Sequence, residues 1–521
     1  VISVEVIQQS LVGRLLLPLC YRLAGYYENS ILAFLLSSIS LQFRKIWAQS
    51  KTGGLFHGES ALSRAWRRCL FSEILNILIN LPGFLLRRLY LALKSLFDQS
   101  MAARIGFALV EETPIAVGWL MLLILIIPYD AWNNAYSFIG FTLMLLFAVA
   151  SGMRTPSHRL DVTSMGPYTI FFGALILLAW PMSAYMQLSG RFLFYHISCM
   201  LCVLVIVSTV ERAQQLRRLA GMATVGLVMI SAYAMVQRIQ GVEVNTSFVD
   251  MTLNKDLPGR VFSVFENPNA FGEVLVLLIP LAVGLMFASR GWGGRFLGLV
   301  GALSGTMALV MTYSRAGWIG LAVAALLFIF LWNKKLLPAV IFLGIAAIPF
   351  LPDTVLMRLT TIFNMSDTST SSRFPLYEAA LRLLVRRPLQ GVGLGSDAVR
   401  SAVSDLNLYY GKAPFVHCHD IYLQVWAETG LFGFLSLLGA VGWTLKRGGK
   451  TVLRKVGSSS VRMLVAGSVS ALLGIMVCGI ADYIWHYPRV MLIFWFLFAM
   501  AVSGIRLAMR EEKQEARRME S

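Results

Sequence analysis

Charge is what this chain has little of. Only 14% of its residues are charged while 57% are hydrophobic, and the mean hydropathy is +0.69. A soluble protein needs far more charge to cover its surface, so a water-soluble fold is excluded. Acidic residues are the scarcer sign: 27 Asp and Glu stand against 45 Lys and Arg, for a formal net charge of +18. Such an excess could serve nucleic acid, but in a membrane protein it marks basic loops on the cytoplasmic side. No nucleic-acid partner is expected. Cysteine is sparse too. Six residues scattered along the chain give no disulfide framework. Cys199 and Cys202 form a CxxC, yet inside an apolar segment without other ligands, where packing is the expected role. No cleavable signal is expected, because Arg14 interrupts the first apolar stretch, around residues 11–19.

What the chain has instead is a series of apolar runs long enough to cross roughly 30 Å of hydrocarbon. They predict an all-α, polytopic transmembrane bundle of about twelve spans, with membrane lipid as the surrounding partner. The runs fall at 114–128, 135–152, 167–187, 191–210, 218–237, 270–288, 295–313, 316–333, 337–352, 420–446, 462–482 and 488–507. Every even-numbered exit is basic: Arg154 and Arg159, then Arg212, Arg217 and Arg218, then Arg290 and Arg295, then Lys334 and Lys335, then the cluster from Lys446 to Arg462. Those exits, and the charged tail at 508–521, are expected in the cytoplasm. Residues 1–110 differ. Short apolar patches alternate there with basic clusters at Arg44-Lys45, Arg67-Arg68 and Arg87-Arg88, a pattern suited to amphipathic helices on an anionic inner leaflet, with short membrane hairpins as the other option.

Spans one to nine lie within 111–352 and spans ten to twelve within 420–507, which leaves two long outer loops, at about 238–269 and at 353–419. The second contains RFPLYEAALRLLVRRP, where Phe374, Tyr377, Leu381, Leu384 and Val385 can share one helical face. The expectation is a helix resting on the outer membrane surface and ended by Pro388 and Gly391.

Positive charge belongs inside, so arginines at outer helix ends stand out. Arg260 lies in GRVFSVFENPNAFGE, Arg315 in TYSRAGWIG between spans seven and eight, and Arg373 opens the loop helix. Each alone could anchor a headgroup. Together they suit a phosphate ligand, because guanidinium binds its oxygens bidentately and keeps its charge. Beside them, HCHDIYLQVWAETGLFG at 417–433 sets ionisable groups at the mouth of an apolar run. His419 precedes the first turn of span ten, where the positive end of the helix suits a neutral general base. Anchoring a helix end is the plainer reading. Neighbouring His417, Cys418 and His419 make poor tetrahedral chelators, so no metal is expected. The GVGLG at 391–395 follows no strand and reads as a turn rather than a nucleotide loop. Asp482 and His486, in ADYIWHYP, share the outer face and are read as structural.

These motifs, in this order, resemble the O-antigen ligase and polymerase superfamily of bacterial surface-polysaccharide assembly. Its signature is a His followed by Asn, Ser or Gln, nine residues, and two glycines three apart. Here His419 is followed by Asp420, nine residues, Gly430 and Gly433, so the Asp departs from the pattern. ENPNAFGE is similar to the NPN element, TYSRAGW to the Ser-Arg element, and RRPLQGVGLGS to the Pro-x-x-Gly-x-Gly stretch. The resemblance covers about 114–507.

It implies an inverting glycosyltransferase, without metal or other cofactor, in the bacterial cytoplasmic membrane. The donor would be a glycan on undecaprenyl pyrophosphate, and the acceptor a lipid or a glycan. By position, Arg260 and Arg315 would hold the donor pyrophosphate and His419 would activate the acceptor hydroxyl. Asn267, Asn269, Arg373, Asp420 and Glu428 are candidates for support. Ligase and polymerase remain alternatives within the family. Outside it, a transporter or lipid-linked glycan flippase would place ionisable residues at the midplane and repeat its halves. Neither feature is evident in the sequence.

Overall fold

The computed structural model describes residues 65–66, 68–243, 259–360, 372–411 and 414–520. The basic cluster at Arg44-Lys45, Arg67 and the apolar patches before residue 65 therefore lie outside the described residues. The elements are α1 (Leu70–Ala92), α2 (Lys94–Gln99), α3 (Met101–Glu111), α4 (Thr113–Ile126), α5 (Ala135–Arg154), α6 (Val162–Met165), α7 (Pro167–Ala179), α8 (Met186–Thr209), α9 (Ala213–Gln240), α10 (Pro268–Ala288), α11 (Trp292–Met311), α12 (Arg315–Asn333), α13 (Leu337–Ala347), α14 (Asp353–Thr360), α15 (Arg373–Arg386), α16 (Ser396–Asp405), α17 (Ile421–Leu453), α18 (Ser459–Cys478) and α19 (Pro488–Glu520). No strand occurs among the described residues. This is an all-α, multi-pass membrane protein.

The twelve apolar runs fold as α4, α5, α7 to α13 and α17 to α19. Ten helices among the described residues are long and apolar enough to cross a membrane, and an eleventh span results if α3 and α4, bent by 68°, act together. α7 is shorter than the sequence suggested. It has 13 residues, about 20 Å at the helical rise, because the chain turns at Trp180 to Ser183 before α8 begins. α1 also passes the length and apolarity test, within the region read as interfacial.

α12 and α13 follow one another as a continuous helical stretch from Arg315 to Phe350 of 36 residues. A straight helix of that length would run about 54 Å. Instead Val355 packs with Tyr313 and Trp318, and Arg358 Nε donates to the Tyr313 carbonyl at 3.4 Å. The chain has turned back at the 3-10 turn Lys334–Leu336, and the start of the long loop lies beside Arg315.

Packing follows apolarity. α19 is apolar on all sides through its first half and is buried almost throughout that half, so it stands at the centre rather than facing lipid. α10 and α18 are buried nearly as fully. α18 also lies against α12, where a side chain at Gly320 would meet the Gly474 carbonyl at 2.8 Å and one at Gly474 the Gly320 carbonyl at 2.5 Å. Small residues let these two backbones approach, the usual device where lipid removes any hydrophobic drive between helices. The rim helices keep bare apolar faces: Ile139, Leu146, Leu303 and Ile345 are each about 60% exposed.

The ends of the bundle differ. Glu211 meets His158, Arg217 donates to Ser460, and Ser460 donates to the Ala288 carbonyl. One end therefore gathers the basic exits after α5, α8 and α10. At the opposite end Arg260 reaches the end of α11, and Ile421 N–H donates to the Gly479 carbonyl.

Of the long loop, α14, α15 and α16 are described. α15 has an inward side as well as the apolar side expected at the membrane surface. Leu376, Ala379, Ala380, Leu383 and Leu384 are buried in a small core with α16 and Ala427, while Phe374, Leu381 and Val385 stay exposed. The helix packs on its own loop domain because α16 offers Val399, Ala402 and Val403 as an apolar counterface.

Candidate active site

The HCHD stretch is held by the helix it precedes. Asp420 is the N-cap of α17, its Oδ1 accepting from Leu423 N–H at 2.8 Å. Burial pushes its carboxyl up, opposed by the backbone N–H groups of Leu423 and Tyr422. The residue that departs from the family pattern thus serves the helix start. His419 itself sits at φ 48, a conformation uncommon outside glycine. That turn aims its N–H at His417 Nδ1, 3.1 Å away, and sets the two rings tilted at 46° with centroids 4.0 Å apart. Ser263 and Tyr313, within the Arg260 and Arg315 segments, also have positive φ. Strained backbone of this kind collects where function over-determines the structure.

His419 Nδ1 lies 3.1 Å from Asp482 Oδ1. Burial alone would raise the Asp482 carboxyl. The hydrogen bond and charge of His419, then Arg373 and His417, outweigh it and hold Asp482 below the usual carboxylate range. An ionised carboxylate only accepts, so Nδ1 carries the proton of this bond and Nε2 is the ring nitrogen left to meet an acceptor. His486 packs against His417 with ring centroids 4.6 Å apart, and its Nδ1 is 3.4 Å from Ser396 Oγ. Burial, with the neighbouring imidazole as the next cause, pushes His417 down to about 2, so the inner ring stays neutral.

Arg260 is buried, with Nε donating to the Thr312 carbonyl at 2.7 Å and Nη2 to Asn269 Oδ1 at 2.5 Å. Asn267 is the N-cap of α10, accepting from Asn269 N–H at 2.7 Å. The NPN element thus both starts a helix and holds an arginine. Burial lowers Arg260 to about 9, and the like charges of Arg358, Arg315 and Arg373 add to the effect while Asp482 opposes it. Four guanidiniums therefore converge near one carboxylate. Three were anticipated from the sequence. Arg358, on α14, was not, and it is buried.

Glu428 lies deeper and supports the frame: Gln424 Nε2 and Tyr483 Oη each donate to Oε1 at 2.8 Å. Gln424 Oε1 in turn accepts from Cys418 N–H at 2.9 Å. α17 breaks at Gly430, with φ 72 and ψ −179. The 388–395 stretch fills the break: Val392 N–H donates to the Ala427 carbonyl at 2.8 Å, and Leu431 N–H to the Pro388 carbonyl at 3.0 Å. A side chain at Gly391 would strike the Glu428 carbonyl at 2.5 Å. The glycine stretch is a backbone docking strip for the broken helix.

His417, His419 and Asp482 offer ligand atoms within 4.8 Å of one another, enough to hold one metal ion. Within that set His417 Nδ1 accepts from the His419 N–H, and Asp482 Oδ1 meets both His419 Nδ1 and the Tyr483 N–H. Cys418, considered with the histidines in the sequence, is buried away from that set.

Comparison with known proteins adds the following. A protein of Haemophilus influenzae, described only as uncharacterized, is 28% identical over 189 residues, which cover 32% of this chain and 47% of that relative. The chain thus spans about half the length of this relative. The family model for O-antigen ligase matches residues 298–438, from α11 to beyond the break in α17. The match includes Arg315, Arg358, Arg373, His419 and both glycines of the signature, and over that stretch the chain is similar to the O-antigen ligase family.

Proposed function

We propose that the protein transfers a glycan from undecaprenyl pyrophosphate to an acceptor hydroxyl on the outer face of the bacterial cytoplasmic membrane. The observation that carries this reading is the pairing of His419 with Asp482 beside a cluster of four arginines at the end opposite the basic exits. His419 Nε2 accepts the acceptor's proton as its oxygen attacks the anomeric carbon from the face opposite the leaving group. One bond forms and the glycosyl–phosphate bond breaks, with inversion. Asp482 stabilises the imidazolium. Arg260, Arg315, Arg358 and Arg373 take up the charge that develops on the departing lipid pyrophosphate. Guanidiniums suit this role because they need not reorganise and do not lose their charge.

A transporter or flippase reading fits less well, because the charged constellation gathers at one end rather than at the midplane. The deciding experiment incubates purified protein with lipid-linked glycan and candidate acceptors and follows release of undecaprenyl pyrophosphate. His419→Ala should lower transfer by about 10² to 10⁴ while donor binding persists. Normal transfer by the variant would overturn the reading, as would glycan movement without any released pyrophosphate in the wild type.

A further inference from the structure

A cavity of about 690 Å³ opens at the basic end, between α1, the loop after α5 and the middle of α19. Four arginines line it, Arg87, Arg159, Arg506 and Arg510, against two carboxylates, Asp161 and Glu211. Both carboxylates are already engaged. Asp161 Oδ2 pairs with Arg506 Nη1 at 3.2 Å, and Glu211 lies 3.5 Å from His158. Arg87 Nη1 and Arg506 Nε are buried, yet neither has a hydrogen-bond partner. A buried guanidinium N–H without an acceptor is costly, which points to a ligand rich in acceptor oxygens.

The wall that α1 gives this cavity is apolar. Ile77, Leu81 and Phe84 line it and are 66%, 47% and 52% exposed. α1 is pinned along the basic end: Asn76 and Asn80 hydrogen-bond the backbone at Val162 and Leu160, and Trp66 donates to the Thr163 carbonyl. At its far end Tyr90 packs on Phe107, which carries the Arg154 guanidinium on its ring. Cations and bare hydrocarbon therefore meet at one depth, beside a helix lying along the end of the bundle. A soluble anion would satisfy the first and leave the second in water.

We propose that this cavity binds the headgroup of an anionic phospholipid, with the phosphate between Arg87, Arg506 and Arg510 and the acyl chains along α1. A zwitterionic lipid would bring its ammonium against the remaining arginines, so a net negative headgroup is favoured. The site is independent of the transfer reaction.

The test uses the full chain in detergent, titrated with phosphatidylglycerol, phosphatidylcholine or glycerol phosphate while thermal unfolding is followed. Phosphatidylglycerol should raise the melting temperature more than phosphatidylcholine, and glycerol phosphate should do little. Arg87→Gln with Arg510→Gln should weaken the apparent affinity by about tenfold or more, as expected for lost charge-assisted hydrogen bonds. Should that variant fold poorly, a photoactivatable phosphatidylglycerol on the wild type should label residues 76–87 or 156–159. Equal effects of the two lipids, an equal effect of glycerol phosphate, or labelling confined to other segments would each overturn the proposal.

Discussion

Asp482 and His419 stand 63 positions apart in the chain, and their side chains meet at 3.1 Å between the start of α17 and the turn after α18. The same Oδ1 accepts from its neighbour Tyr483 N–H at 2.9 Å, so the carboxylate is fixed before it fixes the ring. In the proposed reaction this makes Asp482 a positioning residue: it sets which nitrogen of His419 faces the acceptor.

Asp482→Asn tests that role. The amide oxygen can still accept from Tyr483, so the fold should survive. The amide cannot stabilise an imidazolium as an ionised carboxylate does, and it permits the wrong tautomer. We expect kcat to fall by roughly 10² or more with donor KM little changed, and Asp482→Glu to recover part of the loss. A parallel loss of donor binding would make Asp482 part of the pyrophosphate site instead.

The arginines should respond to shape as well as charge. Arg315→Lys and Arg358→Lys keep a cation but lose the planar fork, so donor KM should rise about tenfold in each at normal protein levels. Full activity in both lysine variants, read by pyrophosphate-carrier release, would reduce them to anchors of the α12 and α14 ends.

The bundle and the ends of its helices were legible because apolar runs and basic exits are local signals. The placement of His419, Arg260 and Arg315 at outer helix ends was legible for a similar reason: each breaks the expected pattern there. Asp482 was seen but read as structural, since no spacing rule joins two residues on different spans. Arg358 gave no signal, being one basic residue in a long polar loop. The role of GVGLG was hidden as well, because the backbone it docks against belongs to a helix that looked continuous. The inward side of α15 was hidden for a related reason. Its periodicity shows a helix, but only the position of α16 decides which side is covered.

Stability should depend on pH through the inner histidines. Burial leads the causes that lower both His417 and His486 from the ordinary value of 6.5. The unfolded chain therefore binds more protons than the folded one below that value. This contribution is fully present above about pH 6.5 and is lost progressively as the pH falls towards the folded values. Thermal unfolding in detergent between pH 5 and 8 should show a rising melting temperature, and His417→Asn should flatten the rise while sparing the His419 N–H contact. An unchanged slope in the variant would assign the acid sensitivity elsewhere.

The last expectation concerns the break in α17. A methyl group at Gly430 would meet the Leu389 carbonyl at 2.0 Å, and the residue's φ of +72 with an extended ψ suits glycine alone. Neither partner is a side-chain tip that could swing away. Gly430→Ala should therefore cost about 2 kcal/mol or more and lower the melting temperature by several degrees. Gly433 offers the contrast. There the added methyl meets a side chain rather than a carbonyl, the Thr429 hydroxyl at 2.1 Å and its Cβ at 2.4 Å, and rotation relieves only the hydroxyl, at the loss of its bond to the Val425 carbonyl, about 1 kcal/mol. The break also sets the direction of the segment carrying Glu428, Gln424 and His419. Folded Gly430→Ala protein should accordingly transfer glycan poorly. If Gly430→Ala melts and transfers like the wild type, the docking strip at 388–395 does not position the histidine, and the alignment of His419 with Asp482 must come from the Ile421–Gly479 contact alone.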